Sequence, residues 1–242
     1  MLLDAKGVSK SFQGFMAVHE ADLRVEQGEI VGLIGPNGAG KSTFFNCLTG
    51  DLTPTEGQVL FDGHDVTRGT PEAHALRGMG RTFQVPATFQ DLTVLENVMV
   101  GAFLRHANRH HAREEAERVV EFTGLAAHAH RPARRLGTPG RKRLEIARVL
   151  ATRPRLMLLD EALAGLTPTE VHQAIELVRE IHRSGVTLVI VEHIMEVILS
   201  LAHRVVVFNQ GELIASGKPE VVVNDPQVIE AYLGKRKTSA SV

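Results

Sequence analysis

Between Gly35 and Thr43 the chain reads GPNGAGKST, directly after an apolar run at 28–35 (GEIVGLIG) and directly before a helical pattern at 41–49. Glycines let a backbone wrap a phosphate chain with its N–H groups pointing inward. The N-terminus of the following helix adds partial positive charge. Gly35, Pro36, Asn37, Gly38, Ala39, Gly40, Lys41, Ser42 and Thr43 together form such a loop. In it Lys41 is placed to reach β- and γ-phosphates, and the Ser42 hydroxyl is placed to ligate Mg²⁺. The chemistry implied is binding of a nucleoside triphosphate with its metal. A second run, LMLLDE at 156–161, ends in two carboxylates. At the C-terminal end of a strand both can face the crevice where ligands sit. Asp160 is expected to hold Mg²⁺ through water, and Glu161 to orient and deprotonate the attacking water. An acidic pair ending a strand is often only solubilising; its place downstream of a phosphate loop gives it weight.

The elements that must carry these residues are legible from periodicity. Runs at 28–35, 155–161 and 185–193 are apolar on both faces, as expected of strands covered on both sides. Helical patterns follow at 41–49, 168–184 and about 194–202. Strand-then-helix alternation predicts an α/β fold with a mainly parallel sheet. Residues 1–27 and 57–62 alternate instead and predict a small antiparallel sheet. Residues 92–152 read as helical, an inserted lobe with Glu114 paired to Arg118 at i,i+4. In RLEIARVL (143–150) the apolar rhythm puts Leu144, Ala147, Val149 and Leu150 inward and Arg143, Glu145 and Arg148 outward. Thr70-Pro71, Thr138-Pro139, Thr167-Pro168 and Asp225-Pro226 each read as a cap followed by proline at the first helical position, and Thr167 with Glu170 fits a capping box. The expected organisation is one domain over 1–235 with a disordered tail at 236–242.

The order GPNGAGKST, RTFQ (81–84), LGTPGRKRLEIAR, LMLLDE and VIVEH (189–193) resembles the ATP-binding subunit of an ABC transporter, over essentially the whole chain. The resemblance implies a P-loop NTPase (RecA-like) core with an antiparallel β subdomain and a helical lobe, hydrolysing ATP with Mg²⁺. It implies Gln84 as the link between metal, lytic water and a transmembrane partner. His193 would contact the γ-phosphate, and Phe12 in KSFQG would stack on adenine. Details such as LTVLENVMVGAF, RLEIARVLAT and GELIASGKPEVVVNDPQVIEAYLG are similar to the ATPases of branched-chain amino-acid importers. Importers of urea, amides and aromatic acids share them, and a lipid or lipopolysaccharide exporter is the runner-up. The partners implied are a second ATPase subunit and separate permeases, at the cytoplasmic face of the plasma membrane. The apolar residues Val85, Pro86, Phe89, Leu92 and Val94 would meet the permease.

One segment departs from the family. Where it reads LSGGQ or, in the branched-chain group, something closer to L-[SA]-Y-G-[QD]-Q-R-R, this chain has Leu136-Gly137-Thr138-Pro139-Gly140. Gly137 removes a hydroxyl and Pro139 removes an N–H donor. In the family this segment closes over ATP held by the other subunit, so a heterodimer is expected in which the site completed by this chain turns over slowly. Ala162 and Ile194 also depart, standing where proline and aspartate are usual.

Composition bounds the alternatives. With 242 residues, 43% of them hydrophobic, and a net charge of −1, the chain can bury a full core and carries no overall attraction for polyanions. Residues 105–143 hold 10 Arg or Lys against 4 Glu, a local basic patch. Nucleic-acid or ribosome work would require the long coiled coil or tandem domains of such relatives, and neither is seen. Metal binding by His106, His110 and His111 with Glu114 and Glu115 is a further reading, with His106 and His110 expected on one helix face. The single cysteine, Cys47, reads as a packed small hydrophobe. No secretory signal or membrane span is expected.

Overall fold

The computed structural model describes residues 1–233, so the tail expected at 236–242 lies outside the described residues. The three apolar runs are strands β3 (Ile30–Ile34), β7 (Leu156–Asp160) and β8 (Thr187–Val191), and every residue in them is buried. They are the centre of a six-stranded sheet ordered β10-β9-β3-β8-β7-β6, where β6 is Met79–Arg81, β9 Arg204–Asn209 and β10 Glu212–Gly217. All neighbours pair in parallel except β9 with β10.

The absence of alternation has a direct cause. Leu156, Leu158, Val189 and Val191 pack against Phe44, Phe45 and Leu48 of α1 (Lys41–Thr49). The intervening Met157, Leu159, Leu188 and Ile190 pack in the other core with Val171, Ile175 and Val178 of α6 (Pro168–Arg183). A sheet sandwiched in this way needs apolar side chains on both faces. The short helix α7 (Met195–Leu201) follows β8 where the sequence places it. The N-terminal residues form the expected antiparallel sheet, ordered β2-β1-β4-β5, from β1 (Leu3–Phe12), β2 (Phe15–Val25), β4 (Glu56–Phe61) and β5 (His64–Asp65).

Between β6 and β7 stand α3 (Val94–Ala102), α4 (Arg109–Phe122) and α5 (Thr138–Leu150), the helical lobe. Two local expectations fail there. Arg118 does not pair with Glu114; its Nη2 donates to Glu115 Oε1 at 2.6 Å, and Arg153 donates to the other oxygen at 2.7 Å. Glu115 is buried beneath them. Burial pushes its carboxyl up, but the two guanidiniums outweigh that and bring it to about 2. Glu145, expected outward, is only 5% exposed.

The reading of a cap followed by proline holds at three helices. Ala73 N–H donates to Thr70 Oγ1 at 3.3 Å ahead of α2 (Pro71–Arg77), Thr167 N–H to Glu170 Oε2 at 2.8 Å, and Gln227 N–H to Asp225 Oδ1 at 2.8 Å ahead of the C-terminal helix Pro226–Leu233. At α5 it shifts by one. Arg141 N–H closes the first turn on Gly137 O, so Gly137 is the cap, Thr138 the first helical residue and Pro139 the second. Among the described residues no side chain caps this end. Cys47 is 1% exposed, and burial pushes its thiol up to about 11, as expected of an inert packed residue.

Candidate functional site

The phosphate loop leaves β3 and enters α1 through a backbone that only glycine permits. Gly35 and Gly40 have φ of +150° and +103°; a Cβ on Gly35 would lie 2.1 Å from Phe208 O, and one on Gly40 2.5 Å from Ala17 O. Asn37 and Gly38 face solvent, and nothing lies within 4 Å of where a Gly38 Cβ would stand. Lys41 curls across the loop, its Nζ donating to Gly35 O at 2.6 Å and Pro36 O at 2.9 Å. Burial lowers its pKa, while the charges of Glu161 and Asp160 pull the other way. Thr43 follows half-buried.

Ser42, Gln84 and Asp160 line one hollow of about 510 Å³ with Asn46, Asp51 and Arg81. A hydroxyl, an amide and a carboxylate are the hard oxygen donors that Mg²⁺ prefers, so this set fits the ion. Asp160 is 7% exposed at the end of β7. Burial pushes its carboxyl up, opposed by the Arg81 guanidinium 3.3 Å away.

Glu161 sits just past β7 in the left-handed region, φ +47°, uncommon for a residue with a side chain. Its N–H donates to Val191 O at 2.9 Å, which ties it to the end of β8. Gln84 Nε2 donates to Glu161 Oε2 at 2.7 Å, and His193 Nε2 lies 2.5 Å from Glu161 Oε1. Three segments, following β6, β7 and β8, therefore converge at the C-terminal edge of the parallel strands, where α/β sheets bind ligands. The arrangement suits a carboxylate that takes a proton while flanking groups fix its two oxygens.

Phe12 ends β1 and is 42% exposed, with Lys10 Nζ 5.3 Å from the centre of its ring. Gly137, Thr138, Pro139 and Gly140 lie at the start of α5, outside the hollow beside Ser42 and Asp160. Of the surface residues expected to meet a partner, Val85, Phe89 and Leu92 are exposed, but Val94 is wholly buried because it begins α3 and faces the lobe core. The histidines also regroup. His106 precedes α4, so it shares no helix face with His110; the ligand atoms that approach within 4.8 Å are those of His110, His111 and Glu114, all exposed.

Sequence reasoning gave Arg81 no role, although RTFQ contains it. It is half-buried, and its Nη1 donates to Asn46 Oδ1 at 2.8 Å, Thr49 Oγ1 at 3.0 Å and Asp51 Oδ2 at 2.6 Å. It thereby braces α1 against β7. The only sequence signal was a lone cation closing a short strand.

A glycine loop at a helix N-terminus, a lysine across it, and an aspartate and glutamate at the end of a parallel strand one place removed in the sheet, with β8 between, define a P-loop nucleoside triphosphatase. The profile described as ABC transporter matches residues 18–164, and one described as branched-chain amino acid ATP-binding cassette transporter matches residues 212–238. The high-affinity branched-chain amino acid transport ATP-binding protein LivG of Escherichia coli (strain K12) is 40% identical over 252 residues, covering 97% of this chain and 98% of its own. BraF of Pseudomonas aeruginosa, of the same description, is 38% identical at the same coverage. A crystal structure of an ATP-binding cassette of an ABC transporter in its ADP conformation superposes with a TM-score of 0.88 at 32% identity, covering 97% of this chain and 99% of its own. The chain belongs to the ABC transporter family, as an ATP-binding subunit with ATPase activity. Among the described residues no helix is long and apolar enough to cross a membrane.

Proposed function

We propose that residues 1–235 form one ATP-binding domain that hydrolyses Mg·ATP to drive import of branched-chain or related amino acids. It works at the cytoplasmic face of the plasma membrane, as a dimer with a second ATPase on separate permease subunits. The observation that carries the reading is the convergence of Gln84 and His193 on the two carboxylate oxygens of Glu161. Ser42, Asp160 and Gln84 would hold Mg²⁺, which when bound neutralises charge on the β- and γ-phosphates.

The N–H groups of Gly35 to Thr43 and the Lys41 ammonium bind the phosphates, and Lys41 must first leave the carbonyls of Gly35 and Pro36. Phe12 stacks on adenine. Glu161 orients the attacking water and accepts its proton, while His193 and Gln84 hold the carboxylate and then turn to the γ-phosphate. Gly137 to Gly140 would close over the partner's ATP with the Gly137, Thr138 and Gly140 N–H groups, the Thr138 hydroxyl, the helix dipole and the basic run Arg141-Lys142-Arg143 to offer.

The solute assignment is supported by the descriptions of LivG and BraF and by the match at 212–238. Its test is reconstitution with separate permease subunits, a binding protein and a second ATPase. ATP-dependent accumulation of leucine, isoleucine or valine is the expected result. Accumulation of urea, an amide or an aromatic acid in their place, or outward movement of a lipopolysaccharide, would transfer the reading to one of the runner-up transporters.

A further inference from the structure

Helix α5 carries charged residues at 142, 145 and 148, three apart and therefore on one side of the helix. Each leaves the helix for a loop that holds a candidate catalytic residue. Lys142 Nζ donates to the backbone carbonyl of Glu161 at 2.9 Å. Glu145 Oε1 accepts the N–H of Phe83, the residue before Gln84, at 2.9 Å. Arg148 donates to Ala87 O, and its guanidinium lies 4.8 Å from the centre of the Phe89 ring.

The loop from Phe83 to Phe89 is therefore held at both ends, and Glu161 is held by its own main chain, all from one helix. Lys142 and Glu145 are 9% and 5% exposed. Lys142 also faces the charge of Glu192, which is 1% exposed and accepts the Leu163 N–H on Oε1 at 2.8 Å. Charges buried so deeply are costly, and the helix already packs through Leu144, Ile146 and Ala147. Packing gives no reason for them; grip on the two loops does.

We infer that Lys142, Glu145 and Arg148 are positioning residues that fix Gln84 and Glu161 to the signature helix, so that the two reach reacting geometry only as α5 takes its place. The inference rests on the assignment of Gln84 and Glu161 to hydrolysis.

The test reads kcat in the full chain assembled with its partner ATPase and permeases, and loop motion in the full chain alone, whose sequence has no tryptophan. Val85→Trp places a reporter at a side chain 78% exposed in the held loop. Glu145→Ala should lower kcat about tenfold or more while ATP affinity stays within about twofold, a loss confined to the transition state. It should also lower the tryptophan's steady-state fluorescence anisotropy as the loop loses its tie to α5. Glu145→Gln retains an acceptor for the Phe83 N–H and should return kcat to within about threefold of the parent. Lys142→Met should lower kcat with ATP affinity kept, and serves if Glu145→Ala does not fold. Unchanged kcat in Glu145→Ala and Lys142→Met, or a loss confined to ATP affinity with the tryptophan unaltered, would overturn the inference. Glu161→Gln, run alongside, tests the underlying assignment separately. If that variant turns over normally, the assignment and this inference fall together; if it is inactive while the stripe variants are not, only this inference falls.

Discussion

Glu161→Gln is expected to lower ATP turnover by about 10²- to 10³-fold while leaving Mg·ATP affinity within a few-fold of the parent. The geometry separates the two quantities. Affinity comes from the loop between Gly35 and Thr43 and from Lys41. The Glu161 carboxylate stands opposite, engaged among the described residues only by Gln84 and His193. A glutamine can still lie between those two side chains, but it cannot take a proton from water. Single-turnover kinetics beside equilibrium binding distinguish the two effects. A variant that binds weakly and hydrolyses what it binds at the parent rate would assign Glu161 to binding instead.

The second large effect concerns the start of α5. The purified chain alone is expected to hydrolyse ATP feebly, because any site it makes with itself is closed by its own altered segment. Gly137 offers no hydroxyl and Pro139 no N–H, and each lost charge-assisted donor to phosphate is worth about 1.5–3 kcal/mol. That amounts to roughly tenfold to a hundredfold per contact. The structure has room for the repair: a Cβ added to Gly137 would meet only Pro139 Cδ, at 3.8 Å, and the backbone there is extended. The double change Gly137→Ser with Pro139→Gly should therefore raise the turnover of the isolated chain about tenfold or more. A fast, cooperative ATPase in the unaltered chain, or no gain from the repair, would remove the asymmetric heterodimer.

How much of this was legible in the sequence depended on how local the determinant was. The phosphate loop is a contiguous stretch whose glycines answer to its own backbone, so GPNGAGKST located it without the fold. The strands β3, β7 and β8 were legible because burial on both faces leaves an unbroken apolar run. Glu145 was misread because helical periodicity records which faces avoid water, not why. A carboxylate buried against the Phe83 N–H has the same spacing as one facing solvent. Arg118 chose Glu115 over Glu114 because Arg153, distant in sequence, makes Glu115 the centre of a shared ion pair. At α5 the Thr-Pro signature was displaced by one residue, since proline is tolerated anywhere in a first turn and Gly137 could take the cap. Arg81 joins α1 to β7 through contacts that no short window contains.

All of it presupposes a chain that grips triphosphate at one loop. Calorimetric titration of the folded, full-length protein with Mg·ATP addresses that most directly. Saturable binding at one site is the expected result, weakened about tenfold to a hundredfold in Lys41→Ala, which loses an ammonium from the phosphates. Absence of heat up to millimolar nucleotide, or equal affinity in the Lys41→Ala protein, would contradict the account.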